Sequence, residues 1–266
     1  MTDSRVLVVL PTMGDRLDTL AETLASVDEQ RRTTPLTLVV VAPPSATQAQ
    51  ALALSHGAVV VEDPGRGISH AINLGIAAAR VETYYAWIGD DDLFRPGALR
   101  TLSAMLDDDP TAALAHGACD YIDPAGRTLV TNRAGRLAHL LLPWGPDLVP
   151  HPGSLIRLDA MHRAGLFDTD LRYAMDLDLF LSIRRHGRFL STRQTVSAFR
   201  WHPDSLTVAN RTASSREAEL VKTRHLPRAL RPLSPLWHLP VRWASARAAR
   251  SLSQRALDVT PHPTSA

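Results

Sequence analysis

Short apolar runs alternate with stretches of helical periodicity through the first part of the chain. That alternation restricts the fold more than any other feature. Val6 to Leu10 and Leu36 to Val41 read as buried strands, the first stopped by Pro11 and the second by Pro43-Pro44. Val59 to Val61 is a third short strand, and the run Thr83 to Gly89 is a fourth. Asp15 to Val27 has its leucines and valine at helical spacing, and Ala46 to Ser55 and Ile68 to Ala79 also read as helices. Pro96 to Leu106 is another, with Pro96 suited to a first helical turn. This order predicts an α/β fold with a mostly parallel central sheet flanked by helices. Beyond about Ala115 the pattern changes. Leu114 to Ile122 and Thr128 to Thr131 read as strands around the turn Asp123-Pro124-Ala125-Gly126. Pro143 to Gly153 is rich in proline and glycine, Asp159 to Ala164 and Asp176 to His186 read as helices, and Arg188 to Phe199 is extended.

The length of 266 residues suffices for one large α/β domain with an appendage. A formal charge of +2 gives no global field for nucleic acid, although basic residues crowd toward the C-terminus. The single cysteine, Cys119, excludes an internal disulfide and a thiolate zinc cage. Arg5 to Leu10 is too short for a signal segment, and no apolar run is long enough to span a bilayer. A cytoplasmic protein is the expectation.

The fourth strand ends in three adjacent carboxylates, Asp90, Asp91 and Asp92. Like charges so close repel, and a folded chain tolerates them at a strand end chiefly when a cation sits there. Mg²⁺ and Mn²⁺ prefer oxygen ligands and are commonly shared between one or two carboxylates and substrate phosphates. The carboxyl end of a strand is also where open α/β sheets bind ligands. A solvated acidic turn is the alternative.

Several segments, in order, resemble the family 2 glycosyltransferases of the GT-A fold. The stretch Glu62 to Gly75 is similar to that family's "D-x-G-x-x-x-A-x-N-x-G" segment, and Trp87 to Leu93 to its strand and DxD-type motif. His151 to Arg157 and Gly165 to Asp168 resemble the start of the acceptor half, Tyr173 to Gly187 its acidic helix, and Arg200 to Thr207 its "R-x-H-x-x-x-S/T" close. The resemblance implies an inverting transferase that moves a sugar from a nucleotide-diphospho-sugar to a hydroxyl acceptor, with Mn²⁺ or Mg²⁺ assisting departure of the diphosphate. It makes Asp92 the first metal ligand. Asp90 and Asp91 are second choices that the resemblance does not separate, both lie on the donor side, and His202 reaches the metal or the pyrophosphate. Pro11 and Thr12 would hold the nucleoside. Asp15 either contacts the donor or caps the next helix. Asp63 and Arg66, in the loop after the third strand, are donor-side candidates, Arg66 either contacting a phosphate or lying on the surface, and Asn73 either ties that loop to the acidic strand or touches the donor. The family's acid after the second strand is missing from Val41-Ala42-Pro43-Pro44-Ser45, which leaves the nucleobase undetermined.

The resemblance places the general base at Asp176, with Met175 where the family often has Glu. Asp178, two residues on, is turned well away by helical geometry and is expected to cap or to pair with Arg184 or Arg185; it is the alternative base. Trp144 and His151 are acceptor-side candidates, Trp144 being equally suited to core packing. The resemblance divides the chain into a nucleotide-sugar half (residues 1–115), an acceptor and catalytic half (116–210) and a C-terminal extension (211–266). In the extension Arg216 to His225 reads as a helix, Pro227 to Pro240 is too proline-rich for one, and Val241 to Leu257 interleaves arginines with Trp243 and leucines. That pattern suits a peripheral contact with the inner face of a membrane, a lipid-linked acceptor, or a partner copy in a homodimer. Two other classes fit less well. A nucleotidyltransferase needs a glycine-rich basic loop after the first strand, where Pro11-Thr12-Met13-Gly14-Asp15 stands. A dinucleotide oxidoreductase needs a third glycine after Gly65-Arg66-Gly67. A catalytically silent sugar-nucleotide binder on the same fold is the remaining alternative.

Overall fold

The structure, a computed structural model, describes residues 6–201 and 210–234 and, beyond these, residues 236, 237, 240, 241, 243 and 247. Among the described residues nine strands form one sheet: β1 (Val6–Pro11), β2 (Leu36–Ala42), β3 (Val59–Glu62), β4 (Tyr84–Trp87), β5 (Leu93–Phe94), β6 (Ala112–Ile122), β7 (Thr128–Asn132), β8 (Ser154–Arg157) and β9 (Arg188–Arg200). Their order is β3-β2-β1-β4-β8-β6-β9-β5, with β7 beside β6. The helices are α1 (Leu17–Arg31), α2 (Thr47–Ser55), α3 (Ile68–Ala77), α4 (Ala98–Asp108), α5 (Arg136–Leu141), α6 (Leu158–Ala164), α7 (Met175–Ile183) and α8 (Arg211–His225).

The sheet is mixed. β3, β2, β1 and β4 are parallel, as the alternation of elements predicts, but β8 runs antiparallel between β4 and β6. β6 and β9 are again parallel, and β5 and β7 pair antiparallel. β8 is only four residues long and lacks alternation, so its strand character comes from the neighbours that flank it.

Burial follows the two-residue period of the strands. Leu7, Val9, Val39, Val41, Tyr85 and Trp87 face one way and join α3, α6 and α7 in one core. Val6, Val8, Leu10, Leu38, Val40, Tyr84, Ala86 and Ile88 face the other way and are covered by α1, α2 and α4. Both cores draw on both halves of the chain. α8 belongs to the first: Val221 is fully buried there, which stabilises its docking by roughly 1.5–3 kcal/mol. α3 lies so close to the sheet that a Cβ at Gly75 would come within 2.4 Å of Val9 Cγ1, which explains the glycine of the Asn73-x-Gly75 segment.

Val9 stands level with both Val39 and Trp87, so β1, β2 and β4 end on the same edge of the sheet. The segments that leave them meet there. Gly14 has φ +80°, and a side chain on it would collide with Ala46 from the turn after β2. Thr12 donates its amide to Val41 O at 2.9 Å and its hydroxyl to Asp90 at 2.6 Å.

Candidate active site

The acidic triplet divides into one buried carboxyl and two that face the ligand edge. Asp92 immediately precedes β5, which pairs with β9, and is itself buried. Its Oδ1 accepts the backbone N–H of Arg200 at 2.9 Å, and its carbonyl accepts the Thr23 hydroxyl at 2.8 Å. Burial, with Asp91 beside it, pushes its carboxyl well above the usual carboxylate range. Asp92 thus spends one carboxylate oxygen on the backbone of β9. It locks the triplet to β9, and Arg200 completes the lock through Asp91 O, Pro124 O and Glu22. Gly89 leaves the room this needs, since a Cβ there would lie 3.1 Å from Asp92 Oδ2 and 3.2 Å from Asp91 Oδ1.

Asp90 and Asp91 keep partly open side chains. Asp90 accepts from Thr12, and its carboxyl is raised by burial despite that bond, with Asp91 adding to the rise. Asp91 Oδ2 accepts Arg16 Nη1 at 2.6 Å, and the same nitrogen lies 3.9 Å from Asp90 Oδ1. These hard oxygen donors fit a small dication. Among the described residues no three His, Cys, Asp or Glu side chains make a ready cage, so diphosphate oxygens and water would complete the coordination. His202 lies outside the described residues.

Pro11 and Thr12 lie at the end of β1, as the sequence predicts. Asp15 is exposed and adds to the negative field on Asp90; α1 starts without any side-chain cap, so the capping alternative for Asp15 is not realised. Asp63 is buried and turns its carboxylate onto the Gly65 N–H at 2.8 Å, shaping the loop after β3, where Arg66 is exposed. Asn73 requires a correction. Its amide donates to Phe167 O at 2.8 Å and accepts Phe167 N–H at 3.1 Å. Both ends thus bond the backbone before the acidic helix, so Asn73 ties α3 to that segment and not to the acidic strand.

On the acceptor side α7 presents its two aspartates in opposite directions, as a separation of two helical residues requires. Asp178 is buried against α8: His225 Nε2 lies 2.8 Å from its Oδ1, and Arg224 Nη1 3.8 Å. Its partners are these residues of the extension, not Arg184 or Arg185. Asp176 turns toward His151. Its Oδ1 accepts the Leu177 N–H at 2.8 Å, and its Oδ2 lies 3.8 Å from His151 Nδ1, beyond hydrogen-bond reach. Burial pushes its carboxyl up to about 6. His151 starts a 3₁₀ turn (His151–Gly153), packs edge-on against Trp87 and stacks on Phe180. Burial holds it well below the usual imidazole range, hence neutral, and its Nδ1 has no hydrogen-bond partner. Trp87 closes β4 just ahead of the triplet, so Trp87, His151 and Asp176 form a packed bridge from the acidic strand end to α7.

Four residues enter the site that no sequence motif marks. Arg16 is one. Asp147 has an open side yet is ringed by protein; burial, then Asp176, push its carboxyl up to about 7, and water on the open side screens that effect. Its Oδ1 accepts Val149 N–H at 3.0 Å, and buried Lys222 donates to Gly145 O nearby. Glu217 accepts the backbone N–H groups of Arg172, Tyr173 and Ala174, at the start of α7. The only signal that would have found Lys222 and Glu217 is their position in the helix at Arg216 to His225, whose docking on α7 the sequence does not disclose. Trp144 is not a core residue: it is 38 % exposed and meets Trp237 edge to face at 5.2 Å.

The structure is similar to solved proteins along nearly its whole length. One is residues 1–349 of TarS from S. aureus, with a TM-score of 0.64 and 14 % identity, covering 92 % of this chain and 73 % of that one. Another is the mannosyltransferase PcManGT from Pyrobaculum calidifontis, solved in complex with GDP-Man and Mn²⁺, with a TM-score of 0.61 and 19 % identity, covering 97 % of this chain and 76 % of that one. No curated protein sequence matches the chain significantly. At such identities the structural likeness establishes the GT-A fold alone. The sequence model described as glycosyl transferase family 2 matches residues 7–160, more than half of the chain, from β1 into α6. With the acidic strand end, the paired β1 turn and the acidic α7 in that family's order, this chain belongs to glycosyl transferase family 2.

Proposed function

We propose that the protein transfers a sugar from a nucleotide-diphospho-sugar to a hydroxyl acceptor with inversion at the anomeric carbon, and that Asp176 is the general base. The observation that carries this reading is the Trp87–His151–Asp176 bridge. It sets a carboxylate of raised proton affinity on the acceptor side of the strand end where a diphosphate would bind. A carboxylate whose proton affinity lies near neutrality can take the hydroxyl proton as the new bond forms. Neutral His151 adds no charge that would pull Asp176 back toward the ordinary range. Asp178 is bound to His225 and serves to anchor α7.

Asp91 and Asp90 take the place first assigned to Asp92 as the carboxylates that would hold Mn²⁺ or Mg²⁺. The dication supplies neutralisation of the negative charge that builds on the diphosphate leaving group. Thr12 fixes the rotamer of Asp90, and Arg200 fixes the backbone of Asp91. The Mn²⁺ and GDP-Man in the PcManGT complex support a metal and a nucleotide-sugar in this fold. The acceptor class that best suits the basic extension is lipid-linked or otherwise anionic. A thermal-shift panel of nucleotide-sugars with Mn²⁺, followed by a transfer assay on the one that stabilises most, tests the reading. Stabilisation without transfer or donor hydrolysis would make the protein a silent sugar-nucleotide binder instead.

A further inference from the structure

Arg16 stands in the place where a dication would have to bind. Its Nη1 is 2.6 Å from Asp91 Oδ2 and 3.9 Å from Asp90 Oδ1, so one cationic nitrogen bridges the two partly open carboxylates of the triplet. Arg200 binds the Asp91 carbonyl and pairs with Glu22. Arg16 lies in the turn between β1 and α1, four residues beyond Thr12, on the edge where diphosphate would bind. Its side chain is 38 % exposed and so has room to swing. A guanidinium and a dication repel each other at such distances and compete for the same oxygens. A displaced guanidinium has a fork of donors matched to phosphate oxygens.

We infer that Arg16 is an exchange residue: it competes with the dication for Asp90 and Asp91 and passes to the donor's diphosphate when the dication takes them. This rests on the reading of Asp90 and Asp91 as the cation's carboxylates. Its consequence is that Mn²⁺ alone binds weakly, because it must displace Arg16 into water. Mn²⁺ with a nucleoside diphosphate binds well, because the guanidinium then has a new anionic partner. Arg16 thereby makes metal and donor arrive as a unit, and the test reads binding without turnover.

Free Mn²⁺ is followed by electron paramagnetic resonance in titrations of the intact protein, with and without GDP or UDP. Arg16→Gln should bind Mn²⁺ alone roughly five- to tenfold more tightly than the parent, the scale of one partly open charge pair, and should take up Mn²⁺–nucleoside diphosphate more weakly by a similar factor. Arg16→Lys keeps the charge but loses the fork, so Mn²⁺ alone should bind as in the parent while diphosphate uptake still weakens; it also serves if the glutamine variant does not fold. Unchanged, weaker or undetectable Mn²⁺ binding in Arg16→Gln, or unchanged diphosphate affinity in both variants, overturns the exchange. Asp91→Asn separates this from the underlying reading: if it binds Mn²⁺ with diphosphate as well as the parent, the carboxylate assignment itself fails.

Discussion

Asp176 and Asp178 differ by two positions in sequence and by nearly everything else in environment. Asp176→Asn should keep donor binding while turnover falls by ~10²-fold or more, as for a lost general base. Donor affinity by calorimetry and single-turnover transfer check this together. The parent's rate should fall as pH drops through about 6, where the Asp176 carboxyl takes its proton. That same shift has a stability sign. A carboxyl raised in the folded state binds more protons there than in the unfolded chain, so its contribution to stability is lost as pH rises from the ordinary carboxylate range through about 6. Asp176→Asn should therefore melt higher than the parent at neutral pH, and a lower melting temperature would contradict the assignment. Asp178→Asn should do the reverse, costing about 1–3 kcal/mol through His225 while retaining much of the turnover. At this scale the sequence disclosed residue types better than roles. Helical geometry alone separated the two aspartates of α7. Nothing in three consecutive aspartates tells which is buried, because burial of Asp92 is decided by β9, more than a hundred residues away. Arg16 and Asp147 sit in turns without periodicity and gave no signal.

The elements that position Asp176 come from a part of the chain that sequence reasoning treated as an appendage. α8 grips the start of α7 through Glu217, holds Asp178 through His225, pairs Arg224 with Asp168 and sends Lys222 beneath the loop that carries Asp147. Glu217→Ala leaves three backbone donors before α7 without their acceptor and should cost about 1.5–3 kcal/mol, measured by urea unfolding. It should also lower turnover more than donor affinity, because the donor edge is built from β1, β2 and β4. Equal losses in both would mean that the helix supports the whole domain and not the acceptor side. β1 to β4 were legible because each is a largely apolar run with a proline or a glycine at or just beyond its end. α5 and β8 were not, since a six-residue helix and a four-residue strand carry too few turns or alternations to show a period. β5, two residues long, exists only as a partner of β9.

The charge of the molecule is close to balanced, but its distribution is not. From Leu220 to Leu257 the sequence has Lys222, Arg224, Arg228, Arg231, Arg242, Arg247, Arg250 and Arg255, and no Asp or Glu. Among the described residues of that stretch Leu236 is 73 % and Trp243 63 % exposed, and the Arg247 guanidinium lies 5.8 Å from the Trp243 ring centroid. No helix among the described residues is long and apolar enough to cross a membrane. Basic side chains interleaved with exposed Trp and Leu match an anionic lipid surface, to which each arginine adds roughly 1 kcal/mol. α8 joins this stretch directly to α7, so a surface that held the extension would also hold the acceptor side of the site near the lipid headgroups. The full chain should therefore sediment with vesicles of phosphatidylglycerol and phosphatidylcholine and not with phosphatidylcholine alone. Binding should be lost near ~1 M salt, where screening acts over about 3 Å. Replacing Arg228, Arg231 and Arg247 with Gln should weaken it by more than roughly a hundredfold, the product of three such contributions. Equal binding to neutral and anionic vesicles, or insensitivity to the triple substitution, would remove the electrostatic argument for a lipid-linked acceptor and leave α8 as a purely internal brace.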